Sequence, residues 1–172
     1  MHSPFIPAAH YNSRFIVTKE SWFGGGCDLT PTYNQRIIKK DFHNVLKKFC
    51  DQHNKSYYKK YSKLCADYFY LKHRNEERGI GGIFYDYLNN NWEKNFKFTS
   101  ETGDIFLEAF TKYISKYKDK SWTKKNRLKL LEKRSRYVEF NLLYDKGTMF
   151  GLKTNGNVEA ILMSLPPLAS WN

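Results

Sequence analysis

The chain lacks the cysteine pattern that would tie it to an oxidising compartment or a structural metal. Its 172 residues contain three cysteines. Cys27, Cys50 and Cys65 are odd in number and show no Cys-x-x-Cys spacing, so neither a disulfide framework nor a zinc knuckle is indicated. A reducing compartment is expected, with the cytoplasm as the default. No apolar run approaches the roughly 20 residues of a helical membrane span, and the first residues lack the basic-then-apolar order of a secretory signal. No internal repeat and no low-complexity linker interrupts the chain, so a single domain over 1–172 is expected.

Acidic residues are also few. Seventeen Asp and Glu stand against 29 Lys and Arg, a formal net charge of +12. Such an excess favours an anionic partner: nucleic acid, a membrane surface or a multiply charged small acid. Its sign alone does not choose among them. Many lysines fall in pairs (Lys39-Lys40, Lys47-Lys48, Lys59-Lys60, Lys124-Lys125) within helical patterns, where a solvated outer face is the plainer reading. They are spread over several helices and no RNA- or DNA-binding motif accompanies them, so a nucleic-acid module is the weaker alternative. Aromatic residues are plentiful, with 13 Tyr and 13 Phe. They suffice to fill a core and to line a pocket for a flat organic molecule.

Periodicity predicts an α+β fold, an antiparallel sheet flanked by helices. Residues 11–18 have strand composition, with 21–27 as their hairpin partner. Helices are expected over 33–51, 55–74, about 100–117 and 122–134. A buried strand is expected over 83–88, after the stop at Gly79, Gly81 and Gly82. From Tyr137 the composition predicts a three-stranded meander, with turns at Asp145-Lys146-Gly147 and Asn155-Gly156-Asn157 and a last strand over 158–164.

The most informative stretch is Trp22 to Pro31, Trp-Phe-Gly-Gly-Gly-Cys-Asp-Leu-Thr-Pro. Three consecutive glycines carry a large backbone entropy cost, tolerated where side chains would obstruct a close approach. A glycine bulge or turn is the alternative. Asp28, a lone acid among bulky apolar residues, suits a carboxylate aimed into a cavity. On a strand His10, Asn12 and Arg14 share one face, placing an acid/base, an amide and a guanidinium side by side. His43 and His73 could join His10 around a transition metal if the fold gathers them; each alone is more often a hydrogen-bonded structural histidine. In His73 to Gly82, Arg78 could grip a carboxylate as a fork, or could merely cap a helix end.

Taken together, five segments resemble oxygen-dependent coproporphyrinogen III oxidase, a family of the heme pathway. They are Pro-Ala-Ala-His-Tyr-Asn-Ser-Arg-Phe (7–15), the glycine stretch (22–31), Tyr-Phe-Tyr-Leu-Lys-His-Arg-Asn-Glu-Glu-Arg-Gly-Ile-Gly-Gly-Ile-Phe (68–84), Arg-Tyr-Val-Glu-Phe-Asn-Leu-Leu-Tyr-Asp-Lys-Gly-Thr (136–148) and Ile-Leu-Met-Ser-Leu-Pro-Pro (161–167). The resemblance implies conversion of two propionates of coproporphyrinogen III to vinyls, with O2 as co-substrate, carbon dioxide and hydrogen peroxide as products, and no organic cofactor. It implies a homodimer, here expected to join through strands within 137–164, and a divalent metal on His10, His43 and His73 as an open alternative.

By the same resemblance His10 is an acid/base, and Asn12, Ser13 and Arg14 contact substrate. Asp28 hydrogen-bonds the pyrrole N–H groups at the ring centre, and Arg14 and Arg78 meet propionates. Lys146 stands where the family usually has an arginine. Asn157 replaces another in a substrate-binding turn formed with Asn155 and Gly156, so two carboxylate grips are expected to be weakened. The family extends before the first residue and beyond Trp171, which leads to the expectation of a partial domain with little activity of its own, a dimerising remnant being the other reading.

Overall fold

The structure is a computed structural model describing residues 3–171; Met1 and His2, which open the first motif-bearing segment, and Asn172 lie outside the described residues. In chain order the elements are β1 (Ala8–Ile16), β2 (Trp22–Thr30), α1 (Gln35–His53), α2 (Tyr57–Tyr68), β3 (Tyr70–Leu71), β4 (Glu76–Glu77), β5 (Gly82–Leu88), α3 (Trp92–Tyr117), α4 (Lys124–Leu143), α5 (Lys146–Lys153) and α6 (Val158–Leu162). An antiparallel sheet in the order β1-β2-β5 and a separate β3-β4 hairpin accompany the helices, which is the expected α+β class.

Side-chain alternation gives β2 two different faces. Phe23, Cys27 and Leu29 join the apolar core with Ile38, Phe42 and Leu46 of α1, Tyr85 of β5 and Phe98 of α3. Phe98 packs against Phe49, Tyr57, Tyr61 and Tyr85, with ring centroids 4.9–5.7 Å apart. Rings at such spacing add to the burial of their area, so the aromatic excess is spent largely on this core. The opposite face of β2 carries Gly24, Gly26 and Asp28. Its β1 neighbours in register are Arg14, Asn12 and His10, so the polar stripe expected of β1 is formed.

Several boundaries differ from expectation for local reasons. The helix expected from residue 100 starts at Trp92, because the Asn91 side chain accepts the Lys94 N–H at 3.0 Å and caps it. The helix expected to run to 74 ends at Tyr68. Tyr70 to Glu77 instead form the β3-β4 hairpin, whose turn has Asn75 at φ 53°.

The largest correction concerns 137–164, which form no meander. They are the end of α4, then α5 and α6. A capping box between Thr123 and Asn126 starts α4, and Tyr137, Phe140 and Tyr144 continue its apolar face at helical spacing. The two segments read as turns, around Asp145 and Asn157, are helix starts: Asp145 accepts the Thr148 N–H at 2.7 Å and Asn157 the Ala160 N–H at 3.2 Å. The same short acceptor side chains serve turns and N-caps, which is why composition misassigns them. The strands on which the expected dimer contact rested are therefore helices.

Candidate functional site

The polar face of β2 ends in a buried ion pair. Asp28 Oδ2 accepts a hydrogen bond from Arg78 Nη2, and His10 Nδ1 lies 3.3 Å from the same oxygen. Asp28 is 4% exposed and Arg78 3%. Three aromatic rings enclose the Arg78 guanidinium, those of Phe69 at 4.0 Å, Phe140 at 5.0 Å and Tyr137 at 5.3 Å. Desolvated cation–π contacts of this kind contribute on the order of 2 kcal/mol. His10 stacks almost parallel on Tyr137, with centroids 4.6 Å apart.

Two opposing effects act on the Asp28 carboxyl. Burial alone would raise its pKa, but the Arg78 guanidinium and then His10 outweigh it and hold the carboxyl at about 2, against an ordinary 3.8. The group is thus an anion throughout the neutral range. Its folded pKa lies below the unfolded one, so its contribution to stability is complete above pH 4 and disappears as pH falls towards 2. The displacement corresponds to about 2 kcal/mol. Glu139 is held at about 2 chiefly by its hydrogen bond from Arg74, against the opposing effect of its burial, with further help from His73 and Trp171. We expect urea-melt stability to be level from pH 7 to 5 and to drop steeply between pH 4 and 2, with Asp28→Asn flattening part of that drop.

Beyond Asp28 neighbouring groups close over the buried glycines. A Cβ on Gly24 would overlap Asp86 Oδ1 and lie 2.9 Å from Arg14 Nε; one on Gly26 would overlap the Ile83 carbonyl oxygen. Arg14 donates to Asp86 Oδ1 from Nε at 3.2 Å and from Nη2 at 2.6 Å, and to Asn12 Oδ1 from Nη1 at 2.6 Å. The Arg14 guanidinium also lies 5.4 Å from the Phe84 ring. Tyr68 stacks on Phe84 at 4.7 Å and hydrogen-bonds Asp145 at 3.0 Å, which brings the start of α5, with Lys146, to the edge of this floor.

Ser13 departs from its neighbours. Paired with Gly25, it faces the other side of β1 and lines a separate cleft with Tyr11 and Phe96. Gly156 and Asn157 make local hydrogen bonds in the α5–α6 connection, among them Gly156 N–H to the Gly151 carbonyl at 2.9 Å, and Asn155 sits beside them at φ 55°. Among the described residues none of these three bonds to the Asp28 cluster.

The three histidines are not brought together. His43 Nε2 lies 2.8 Å from the Ile80 carbonyl and Nδ1 3.0 Å from the Tyr58 hydroxyl. His73 Nε2 lies 2.8 Å from Glu139 and Nδ1 2.8 Å from the Tyr144 hydroxyl. Each has both ring nitrogens engaged, and no group of three or more His, Cys, Asp or Glu suited to a metal occurs among the described residues. The expected metal set on His10, His43 and His73 does not fit this arrangement.

Sequence reading overlooked Asp86, Tyr137 and Glu139. Asp86 shares the face of Gly82 and Phe84 by period-two alternation, a signal that becomes usable only once β5 is known to lie beside β2. Glu139 collects Arg74 through Nε at 2.5 Å and Nη2 at 2.6 Å, His73, and Trp171 Nε1 at 2.7 Å, tying the β3-β4 hairpin and the C-terminal segment to α4. Its helical position was hidden by the strand composition of 137–144.

Guanidinium, imidazole and a buried carboxylate lie along one face of a three-stranded antiparallel sheet in an α+β protein. The family model described as Coproporphyrinogen III oxidase matches residues 1–172. The oxygen-dependent coproporphyrinogen-III oxidase of Rickettsia rickettsii (strain Sheila Smith) is 53% identical over 173 residues, covering 100% of this chain and 62% of that protein. The same-named proteins of Rickettsia bellii (strain OSU 85-389) and Rickettsia akari (strain Hartford) are each 52% identical, again with 62% of their length covered. The chain belongs to the coproporphyrinogen III oxidase family and spans 62% of the length of these relatives.

Proposed function

We propose that this chain provides the ring-binding floor and reaction centre for the oxidative decarboxylation of coproporphyrinogen III to protoporphyrinogen IX. One observation carries the reading: Arg14, Asn12, His10 and Asp28 line up along one face of the β1–β2 pair, with Gly24 and Gly26 opposite Arg14 and Asn12 in register. A tetrapyrrole lying against a sheet needs close approach to backbone, and its propionates need forked cations. No helix among the described residues is long and apolar enough to cross a membrane.

Each turnover removes one carboxyl as carbon dioxide and a hydrogen with its bonding pair from the carbon attached to the ring. The pair freed from the carbon–carboxyl bond becomes the vinyl double bond. O2 takes the hydrogen with its pair and, with one further proton, leaves as hydrogen peroxide. Asp28 uses only Oδ2 for Arg78 and His10, so Oδ1 is the oxygen that would accept a pyrrole N–H. A fixed anion there favours the positive charge that develops on the pyrrole as the hydrogen departs. His10 would carry the proton, and Asp86 would release Arg14 to a propionate. Arg78, enclosed and already paired, acts on Asp28 in this scheme and does not itself hold a propionate.

The reading is tested with coproporphyrin III, the coloured oxidised form of the ring, in a fluorescence titration, and with coproporphyrinogen III under air. Arg14→Met is expected to weaken binding about 10- to 100-fold, the value of a charged hydrogen bond. A wild-type chain that neither binds the tetrapyrrole nor decarboxylates it would overturn the proposal.

A further inference from the structure

A cleft of about 300 Å³ opens where the ends of β1 and β2 meet α4, next to His10 but apart from the glycine floor. Its polar lining includes Thr30, Thr32, Lys133 and Arg134, and no Asp or Glu lines it. Thr30 is 6% exposed and Thr32 4%, and neither hydroxyl has a hydrogen-bond partner. Buried hydroxyls without partners are costly, on the order of 1–3 kcal/mol each. Thr30 and Lys133 also border a neighbouring polar cleft with Glu76, Glu77 and Arg78, whereas Thr32 and Arg134 line the first.

The cations point the same way. Lys133 and Arg134 follow one another on α4, and among the described residues neither enters an ion pair or a side-chain hydrogen bond. Burial, and then the nearby Arg127, lower the pKa of Arg134, a pressure that a bound anion would relieve. The remaining walls are largely hydrocarbon, from Ala8, Leu130 and Pro166. Donors at one end and apolar walls around them suit an acid carried on a short aliphatic arm better than a bare inorganic anion.

We propose that this cleft is a subsite for an aliphatic carboxylate, held by the hydroxyls of Thr30 and Thr32 and the charges of Lys133 and Arg134. It rests on the tetrapyrrole reading for its occupant, which is then a propionate arm reaching past His10 while the ring lies over the glycines. The subsite would supply carboxylate contacts that the Asn155–Asn157 segment, engaged locally, does not.

The test titrates the full chain with coproporphyrin III, with its tetramethyl ester and with butyrate, following fluorescence for the first two and calorimetry for the third. Lys133→Met/Arg134→Met is expected to weaken coproporphyrin III binding at least 10-fold and to abolish butyrate binding while leaving the weaker ester binding unchanged. Thr32→Val is expected to lose about 3- to 10-fold, and Thr32→Ser, which keeps the hydroxyl, to bind as wild type does. Thermal melts confirm folding of each variant. Wild-type binding of butyrate without tetrapyrrole, lost in the double variant, would retain the subsite and remove the tetrapyrrole reading. Affinities for both acids that are unchanged in the double variant, or no binding of either acid by wild type, would overturn the subsite.

Discussion

Arg78→Met is expected to destabilise the chain by about 3–5 kcal/mol, because it leaves the Asp28 carboxylate buried without its main partner. Against a total stability on the order of 5–15 kcal/mol, that is a substantial part of the margin, and up to all of it at the low end. Asp28→Ala should cost a similar amount for the converse reason, since it strands a guanidinium enclosed by Phe69, Tyr137 and Phe140. The double variant Asp28→Ala/Arg78→Met should be markedly more stable than the sum of its parts, as removing both charges removes the desolvation penalty with them. Equilibrium urea melts of the four proteins measure this directly. Additive losses would mean that the pair is not coupled in solution. Tetrapyrrole binding measured on the folded double variant then separates the stabilising role of Asp28 from its proposed contact with pyrrole N–H groups.

Gly26→Val should cost at least about 3 kcal/mol and eliminate tetrapyrrole binding. Intrinsic preference points the other way: valine is favoured over glycine in strands by up to about 1 kcal/mol. The structural environment reverses the sign. A Cβ at Gly26 would overlap the Ile83 carbonyl oxygen and lie 3.0 Å from Phe84 Cα, so relief requires moving β5 backbone away from β2 and stretching the ladder between them. At Gly24 the obstacles are side chains, Asp86 and Arg14, which can turn aside. Gly24→Val is therefore the milder lesion for folding and a comparable one for the ligand. Thermal denaturation with parallel coproporphyrin III titration distinguishes them. A Gly26→Val protein as stable as wild type would show that the glycines do not mark a close approach.

Much of the site was legible because strand alternation is a local rule. His10, Asn12 and Arg14 had to share a face whatever else the chain did, and the glycine run with Asp28 had to sit where backbone comes close. Helix α1 and strand β5 were equally legible, since their apolar periods leave little choice. The meander over 137–164 failed for an equally physical reason. Tyr-Val-Glu-Phe-Asn-Leu-Leu-Tyr has strand composition, but packing Tyr137 and Phe140 around Arg78 selects a helix, and local preference of a few tenths of a kcal/mol per residue does not compete with that burial.

The sequence by itself determined the family, the two-faced strand at the centre, and the presence of histidine, guanidinium and carboxylate along one side of it. Only the tertiary structure decided which of these meet. Asp86 of β5 was assigned to Arg14 of β1 across the intervening β2, 72 positions away along the chain. His43 and His73 were committed to Tyr58, Ile80, Glu139 and Tyr144 rather than to a shared metal. Contacts between residues so distant along the chain follow from the order of strands and the path of helices, which no local period encodes, and on that order depends whether Asp28 is a solvated acid or the buried anion paired with Arg78.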